Sequence, residues 1–471
     1  MITFQLEPGS FRDRTSRVFY SENSVFRALN EEALKEWESL SSTKFFSRFM
    51  AEKKIVQTEQ VEPAWEFDSA IAEKWTAFLK HQTIPFISYP YEWSFGMLKD
   101  VALLQTELLL AALDEGMILK DSSAFNFQWI GTNPVFIDIP SFMKLNAGEP
   151  WIGYRQFCQM FLYPLMLQAY KDIPFQPLFR GNIDGLEPEY FNRLMSLRDL
   201  LCPGVFTHVY LHAKAQMKYA NSQKDIKKLL FDNGLNMEMI RNNVKSLRKL
   251  ILNLKWKQSR SQWSHYVKEH SYTDSDHEMK KSFVRDIVTS RKWNLVWDVG
   301  CNTGTFSRIA GENAQYVVAM DSDHLAIEYL YLELKREGNF NVLPLVCNIA
   351  DPSPNLGWGG LERKSLPERG KPDLTLCLAL IHHLVIGANI PVKEFIDWLV
   401  SLGTSVIIEF ITKEDPMVKR LLCNKQDNYT DYDIGYFENY LSNNFDVDRR
   451  KVLSSGTRIL YFAQNKKGGM V

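Results

Sequence analysis

Four residues in one short stretch have the types and spacing to grip a nucleoside: Asp298, Gly300, Gly304 and Asp321. Glycines in a tight turn let the backbone come close to a ligand, and a carboxylate at the end of the following strand accepts hydrogen bonds from two ribose hydroxyls. The stretch also supplies the elements that such a grip needs. Leu295 to Val299 is an apolar run of strand length, the glycines punctuate a turn, Thr305 to Gly311 opens a helix, and Tyr316 to Met320 is a second apolar run. Together they read as a β–turn–α–β unit closing on Asp321. The spacing Gly-x-x-x-Gly is not the Gly-x-Gly-x-x-Gly of dinucleotide enzymes. An ordinary βαβ turn is the competing reading, because a lone acid after a strand is common.

A second constellation lies in the first half of the chain. Asp121 and Asn126 stand as Asp-x-x-x-x-Asn, and Asp138 follows an apparent hairpin, Phe127 to Ile130 and Val135 to Ile137, turning at Gly131 to Pro134. In protein kinases and aminoglycoside-type phosphotransferases that order supplies a base and two magnesium ligands. Here no His-Arg or His-Gly precedes Asp121, no Gly-rich phosphate loop or Val-Ala-Ile-Lys strand is visible, and Asp138 is followed by Ile-Pro-Ser. Two readings stand: Asp121 caps a turn and Asn126 satisfies buried backbone, or the segment belongs to a degenerate kinase-like fold.

The elements that must position these residues follow from periodicity. Ser16 to Tyr20 and Ser24 to Ala28 read as strands. Glu31 to Glu52 and Phe67 to Lys80 carry helical patterning, and Leu98 to Gly116 is the strongest helix of this half. Trp151 to Ala169 reads as a buried aromatic helix. From about 205 to 258 the chain is helical and increasingly basic, with Lys224, Lys227, Lys228, Arg248 and Lys249. Such a stretch is more often a solvated face than a nucleic-acid surface. A composition shift over Lys257 to Ser264 marks a boundary, which predicts an N-terminal α+β domain over 1–204, a helical connector over 205–262 and a nucleoside-binding domain over 263–467. In that last domain Trp263, His265, Tyr266 and Tyr272 are candidates for a lid or for core. His277 to Ser290 is a helix, and after Asp321 come a helix over Leu325 to Glu337 and a strand over Val342 to Cys347. A polar insertion spans Pro352 to Pro372. The fourth strand, Asp373 to Ala379, runs into Leu380-Ile381-His382-His383, and the fifth is Ser405 to Phe410.

Composition excludes several classes. Apolar content of 45%, charged content of 24% and a net charge of −1 describe an ordinary globular chain of 471 residues with no overall basic field for nucleic acid. Six scattered cysteines, without a Cys-x-x-Cys pair, predict a reduced, cytoplasmic protein with no structural metal site. No segment reads as a secretion signal or a membrane span.

The motif at 298–321 resembles that of class I S-adenosylmethionine (SAM)-dependent methyltransferases. The runs Asp-Leu-Thr-Leu-Cys-Leu-Ala-Leu-Ile-His-His-Leu at 373–384, Ile-Glu-Phe-Ile-Thr-Lys-Glu-Asp-Pro at 408–416 and Leu-Lys-Asp-Ser-Ser-Ala-Phe-Asn at 119–126 resemble a family of bacterial two-part, nodulation-protein-like proteins. The resemblance implies an α/β fold with a C-terminal Rossmann-like, seven-stranded sheet closed by a hairpin over Phe445 to Lys451 and Arg458 to Ala463. It implies SAM as cofactor, held by Asp298, Gly300, Cys301, Asn302, Gly304, Asp321, Ser322, Asn348, Ile349 and Ala379. Methyl transfer is an in-line displacement that needs a base only for a hydroxyl or protonated amine acceptor. His382, His383 and Glu409 are the candidates, with one histidine expected to face the site and the other the packing. No Asn-Pro-Pro-Tyr motif is present, which leans toward an oxygen or small-amine acceptor, more a small molecule than nucleic acid. A phosphotransferase built on Asp121, Asn126 and Asp138 and a non-catalytic SAM-binding scaffold are the alternatives.

Overall fold

The computed structural model describes residues 4–21, 24–62, 74–146, 148–220, 237–257 and 274–466. The chain divides into two compact units, one of residues 1–129, 133–257 and 355–363, the other of 130–132, 258–354 and 364–471.

In the first unit β1 (Gln5–Leu6), β2 (Ser16–Ser21), β3 (Ser24–Leu29), β4 (Thr58–Val61) and β5 (Ala77–His81) form an antiparallel sheet in the order β1-β2-β3-β5-β4. Phe19 lies opposite Phe26 across the β2–β3 hairpin, and both bury against Ala28 and Phe78. The helical patterning over Phe67 to Lys80 is corrected at its described end: Ala77–His81 is an inner strand paired with both β3 and β4, and residues 67–73 lie outside the described set. Ala77, Phe78 and Leu79 are all buried, and so short an apolar run carries no period that separates strand from helix. The patterning over 31–52 resolves into α1 (Glu31–Ser41) and α2 (Lys44–Ala51). Asn30 caps α1, its Oδ1 accepting from Ala33 N at 2.9 Å.

The long helix α3 (Phe95–Asp114) begins at the Ser94 cap and ends ahead of Gly116, whose φ of 73° suits the turn that follows. It leads into β6 (Met117–Leu119). Then β7 (Phe127–Ile130) and β8 (Asn133–Phe136) form a two-stranded sheet, and β9 (Phe142–Lys144) returns to pair with β6. A further helix, α4 (Met237–Asn253), buries Ile240, Val244, Leu247 and Ile251. Arg248 on α4 donates to Leu103 O at 2.8 Å, so this basic residue is used in packing; Lys224, Lys227 and Lys228 lie outside the described residues.

The second unit is built on seven strands: β10 (Trp293–Val299), β11 (Ala314–Asp321), β12 (Val342–Val346), β13 (Leu374–Cys377), β14 (Ser405–Ile411), β15 (Phe445–Val452) and β16 (Arg458–Asn465). Their order is β12-β11-β10-β13-β14-β16-β15. The first five run parallel, and β16 is antiparallel to both β14 and β15. This is the sheet that the methyltransferase resemblance implies. Every residue of β12 and β14 is buried, as parallel strands covered on both faces require. Helix α5 (Asp274–Ser290) buries Phe283, Val284, Ile287 and Val288 against the sheet, in one cluster with Ile309 of α6 (Thr305–Gly311) and Leu330 of α7 (His324–Glu337). The strand order reverses between β10 and β13, and a crevice for a ligand opens beyond the strand C-termini at such a switch point.

Candidate functional site

The glycine turn after β10 is held by its neighbour strand: Gly300 N and Cys301 N both donate to Met320 O, at 2.8 and 3.0 Å. Gly300 and Gly304 share a left-handed backbone, φ 78° and 77°, which favours glycine. They serve different purposes. A Cβ on Gly304 would meet Leu330 Cδ1 at 2.4 Å, so this glycine lets α7 pack against the turn. A Cβ on Gly300 would meet nothing closer than Leu380 Cδ1 at 3.3 Å.

Asp321 ends β11 with both carboxylate oxygens oriented by backbone. Asn302 N donates to Oδ2 at 2.8 Å and Asp323 N to Oδ1 at 2.9 Å. Asn302 reaches that position through a left-handed φ of 50°. Burial raises the Asp321 pKa while these N–H groups oppose the shift. Asp323 in turn caps α7, its Oδ1 accepting from Leu325 N and Ala326 N at 2.8 and 3.2 Å. Asp298 is buried beneath the turn, where burial pushes its pKa up to about 6 against the pull of Ser307 Oγ, which donates to it at 2.6 Å.

A cavity of about 480 Å³ opens beside these groups. Of the residues expected to hold the cofactor, Asp298, Gly300, Cys301, Asn302, Asp321, Ser322, Asn348, Ile349 and Ala379 line it, and Gly304 does not. Ala379 sits in a left-handed conformation, φ 51°, just past β13. Its N–H donates to Glu409 Oε2 at 2.9 Å.

The candidate bases separate. His383 lines the cavity, with burial lowering its pKa to about 4, so its imidazole is neutral at neutral pH and a weaker base than a free histidine. His382 does not reach the cavity: it is fully buried, and neither ring nitrogen has a hydrogen-bond partner among the described residues. Its pKa is driven well down by burial first and by His383 second. Glu409 is also displaced from the role expected of it, being fully buried behind the cavity wall, where it accepts from Lys280 Nζ at 2.5 Å and Arg458 Nη1 at 3.3 Å.

No family model matches the chain. It is 33% identical, over 457 residues, to the nodulation protein NoeA of Rhizobium meliloti (strain 1021), a match spanning 96% of this chain and 94% of that one. The chain belongs to the NoeA family. Among solved structures, the N-methyltransferase NodS of Bradyrhizobium japonicum WM9 matches 41% of this NoeA-family chain and 97% of its own at 12% identity and a TM-score of 0.31. The magnesium protoporphyrin IX methyltransferase ChlM of Synechocystis PCC 6803 matches 43% and 93% at 17% identity, with the same TM-score of 0.31.

Reading the sequence of this NoeA-family member missed His277, Lys280 and Phe306, which also line the cavity. His277 meets the Phe306 ring edge-on at 6.1 Å, and Lys280 Nζ lies 4.9 Å from the same ring centroid. His277 and Lys280 sit on α5, before the motif in sequence, and only the i, i+3 spacing of two polar side chains on an amphipathic helix marked them. The aromatic lid candidates from Trp263 to Tyr272 lie outside the described residues. Among the described residues no group of three or more His, Cys, Asp or Glu is arranged to hold a metal ion, and no helix is long and apolar enough to cross a membrane.

Proposed function

We propose that the second unit is a class I SAM-dependent methyltransferase acting on a small-molecule oxygen or nitrogen nucleophile. The observation that carries this reading is the backbone-oriented Asp321 carboxylate on the wall of a cavity at the β10/β13 switch point. Three features of the site fit the cofactor. The Gly300 turn leaves room for a close approach, both Asp321 oxygens are held by N–H donors with lone pairs to spare, and Asn348 and Ile349 border the cavity beyond β12. SAM supplies a methyl group activated on a sulfonium. Asp321 would hold the ribose hydroxyls, Asn348 and Ile349 the adenine edge, and the turn from Gly300 to Asn302 the remainder. The apolar walls at Leu378, Leu380 and Leu384 exclude water, and the neutral ring of His383 orients the acceptor by accepting a hydrogen bond from its O–H or N–H. Titration calorimetry of the full chain with SAM tests the reading, with saturable binding expected and its absence refuting it.

For the first unit we infer a reduced kinase-like arrangement that positions an acceptor or a partner rather than transferring phosphate. A hairpin lies between Asn126 and Asp138, and a helix precedes Asp121, which supports the arrangement. Against phosphotransfer stands the use of the acidic group by the protein itself. Asp138 is paired with Arg27 Nη2 at 3.1 Å and accepts from Ser141 Oγ at 2.5 Å, and Asn126 Nδ2 donates to Ser141 Oγ at 3.1 Å.

A further inference from the structure

Behind the cavity lies a chain of four ionised side chains, each almost wholly enclosed: Lys280 at 4% exposure, Glu409 at 0%, Arg458 at 1% and Asp415 at 2%. Lys280 Nζ meets Glu409 Oε2 at 2.5 Å, and Glu409 Oε1 meets Arg458 Nη1 at 3.3 Å. Arg458 then grips Asp415 with Nε at 2.8 Å and Nη2 at 3.3 Å. Asp415 is anchored as the cap of α8 (Pro416–Leu422), accepting from Met417 N at 2.9 Å. Within these four, two cations face two anions, and Asp298 on the cavity wall also acts on Lys280. Its members come from α5, β14, the loop after β14, and β16.

Of the four, only Lys280 lines the cavity. Glu409 acts one layer back, where Oε2 also accepts from Ala379 N and so holds the cavity wall in its left-handed turn. A buried ammonium is costly unless paired, and α5 could supply an apolar residue at this position with less desolvation. A charge kept in so enclosed a place acts on what enters the cavity.

Resting on the methyltransferase reading above, we propose that Lys280 sets the charge preference of the cofactor site. Its ammonium balances the carboxylates behind the wall, which would otherwise favour the positive sulfonium of the methyl donor over the neutral thioether of the product, S-adenosylhomocysteine. It thereby offsets the pull that the Glu409 and Asp415 carboxylates would exert on the donor. Glu409 is a positioning residue, holding Lys280 and the Ala379 turn together.

The test is calorimetric titration of SAM and S-adenosylhomocysteine at pH 8 into the wild-type chain, Lys280→Met and the double variant Lys280→Met/Glu409→Gln. Lys280→Met leaves the network with one excess negative charge, and the affinity ratio should move toward SAM by about tenfold, the scale of one charge acting over about 12 Å at an effective dielectric of about 20. The double variant is neutral again, keeps an acceptor for Ala379 N, and should return the ratio to its wild-type value. Equal changes for both ligands in Lys280→Met, or a double variant whose ratio stays shifted, overturns the role of Lys280 while leaving the methyltransferase reading intact. A wild-type chain that binds neither ligand overturns both. The two-ligand ratio cancels losses from partial unfolding, which weaken both ligands alike.

Discussion

At the scale of single residues, the cavity wall sets carboxylates to different tasks. Asp321 is held by two amides for hydrogen bonding, so Asp321→Ala should weaken SAM by at least about tenfold, since each charge-assisted hydrogen bond is worth about 1.5–3 kcal/mol. Asp321→Asn keeps one acceptor and should fall between the two. Calorimetry giving Asp321→Ala the wild-type affinity would remove the central contact. Asp298 is instead a buried acid whose folded pKa of about 6 lies above the ordinary 3.8. A raised acid pKa means that the folded state binds its proton first as pH falls, so the destabilisation from burying the carboxylate is fully present above about pH 6 and is relieved between about pH 6 and 4. Asp298→Asn should therefore melt higher than wild type at pH 8, by up to about 3 kcal/mol of stability. That advantage should vanish near pH 4. A melting difference independent of pH would show that Asp298 is not the group titrating.

At the scale of elements, the glycine turn after β10 depends on how closely α7 approaches it. Gly304→Ala places a methyl group against Leu330, which is fully buried, and forces a side chain into a left-handed backbone. The two effects together should cost about 2–5 kcal/mol, from roughly 1–2 for the backbone and 1–3 for overpacking. Gly300→Ala carries the backbone cost with a looser contact at 3.3 Å and should destabilise less. Urea unfolding in a Leu330→Ala background separates the terms. There Gly304→Ala should lose its packing component and retain the backbone one, and an unchanged cost would mean that Leu330 is not what the glycine accommodates. His382 belongs to this scale too: a neutral, wholly enclosed ring beside His383, its centroid 4.0 Å away, packs the turn after β13 and leaves the cavity to its neighbour.

At the scale of the whole molecule, a NoeA-family chain joins a unit built on a seven-stranded sheet to one whose Asp121, Asn126 and Asp138 stand in phosphotransferase order. Three or four phosphate charges require protein cations as well as metal, and here Arg27 is already engaged by Asp138. The full chain with magnesium and ATP should show no binding tighter than about millimolar and no hydrolysis. Micromolar binding abolished by Asp138→Ala would reverse that assignment.

The sequence by itself determined the β–turn–α–β unit from Asn294 to Asp321 and the strand-length runs that follow, and the family resemblance implied the sheet and the hairpin that closes it. The unit and the runs rest on local periodicity and on glycines whose backbone conformation few other residues adopt. It also singled out the cavity-lining Asp298, Gly300, Asn302 and Asp321, which lie close together along the chain. Tertiary structure decided what depends on distant pairing. The strand at Ala77–His81 was illegible because its apolar run is too short to show a period, and its identity comes from β3 and β4 on either side. Two adjacent histidines look alike in sequence, yet the turn after Ala379 sends only His383 to the cavity. Lys280 and Glu409 are 129 residues apart, and no local pattern could announce that burial would leave each the other's neutralising charge.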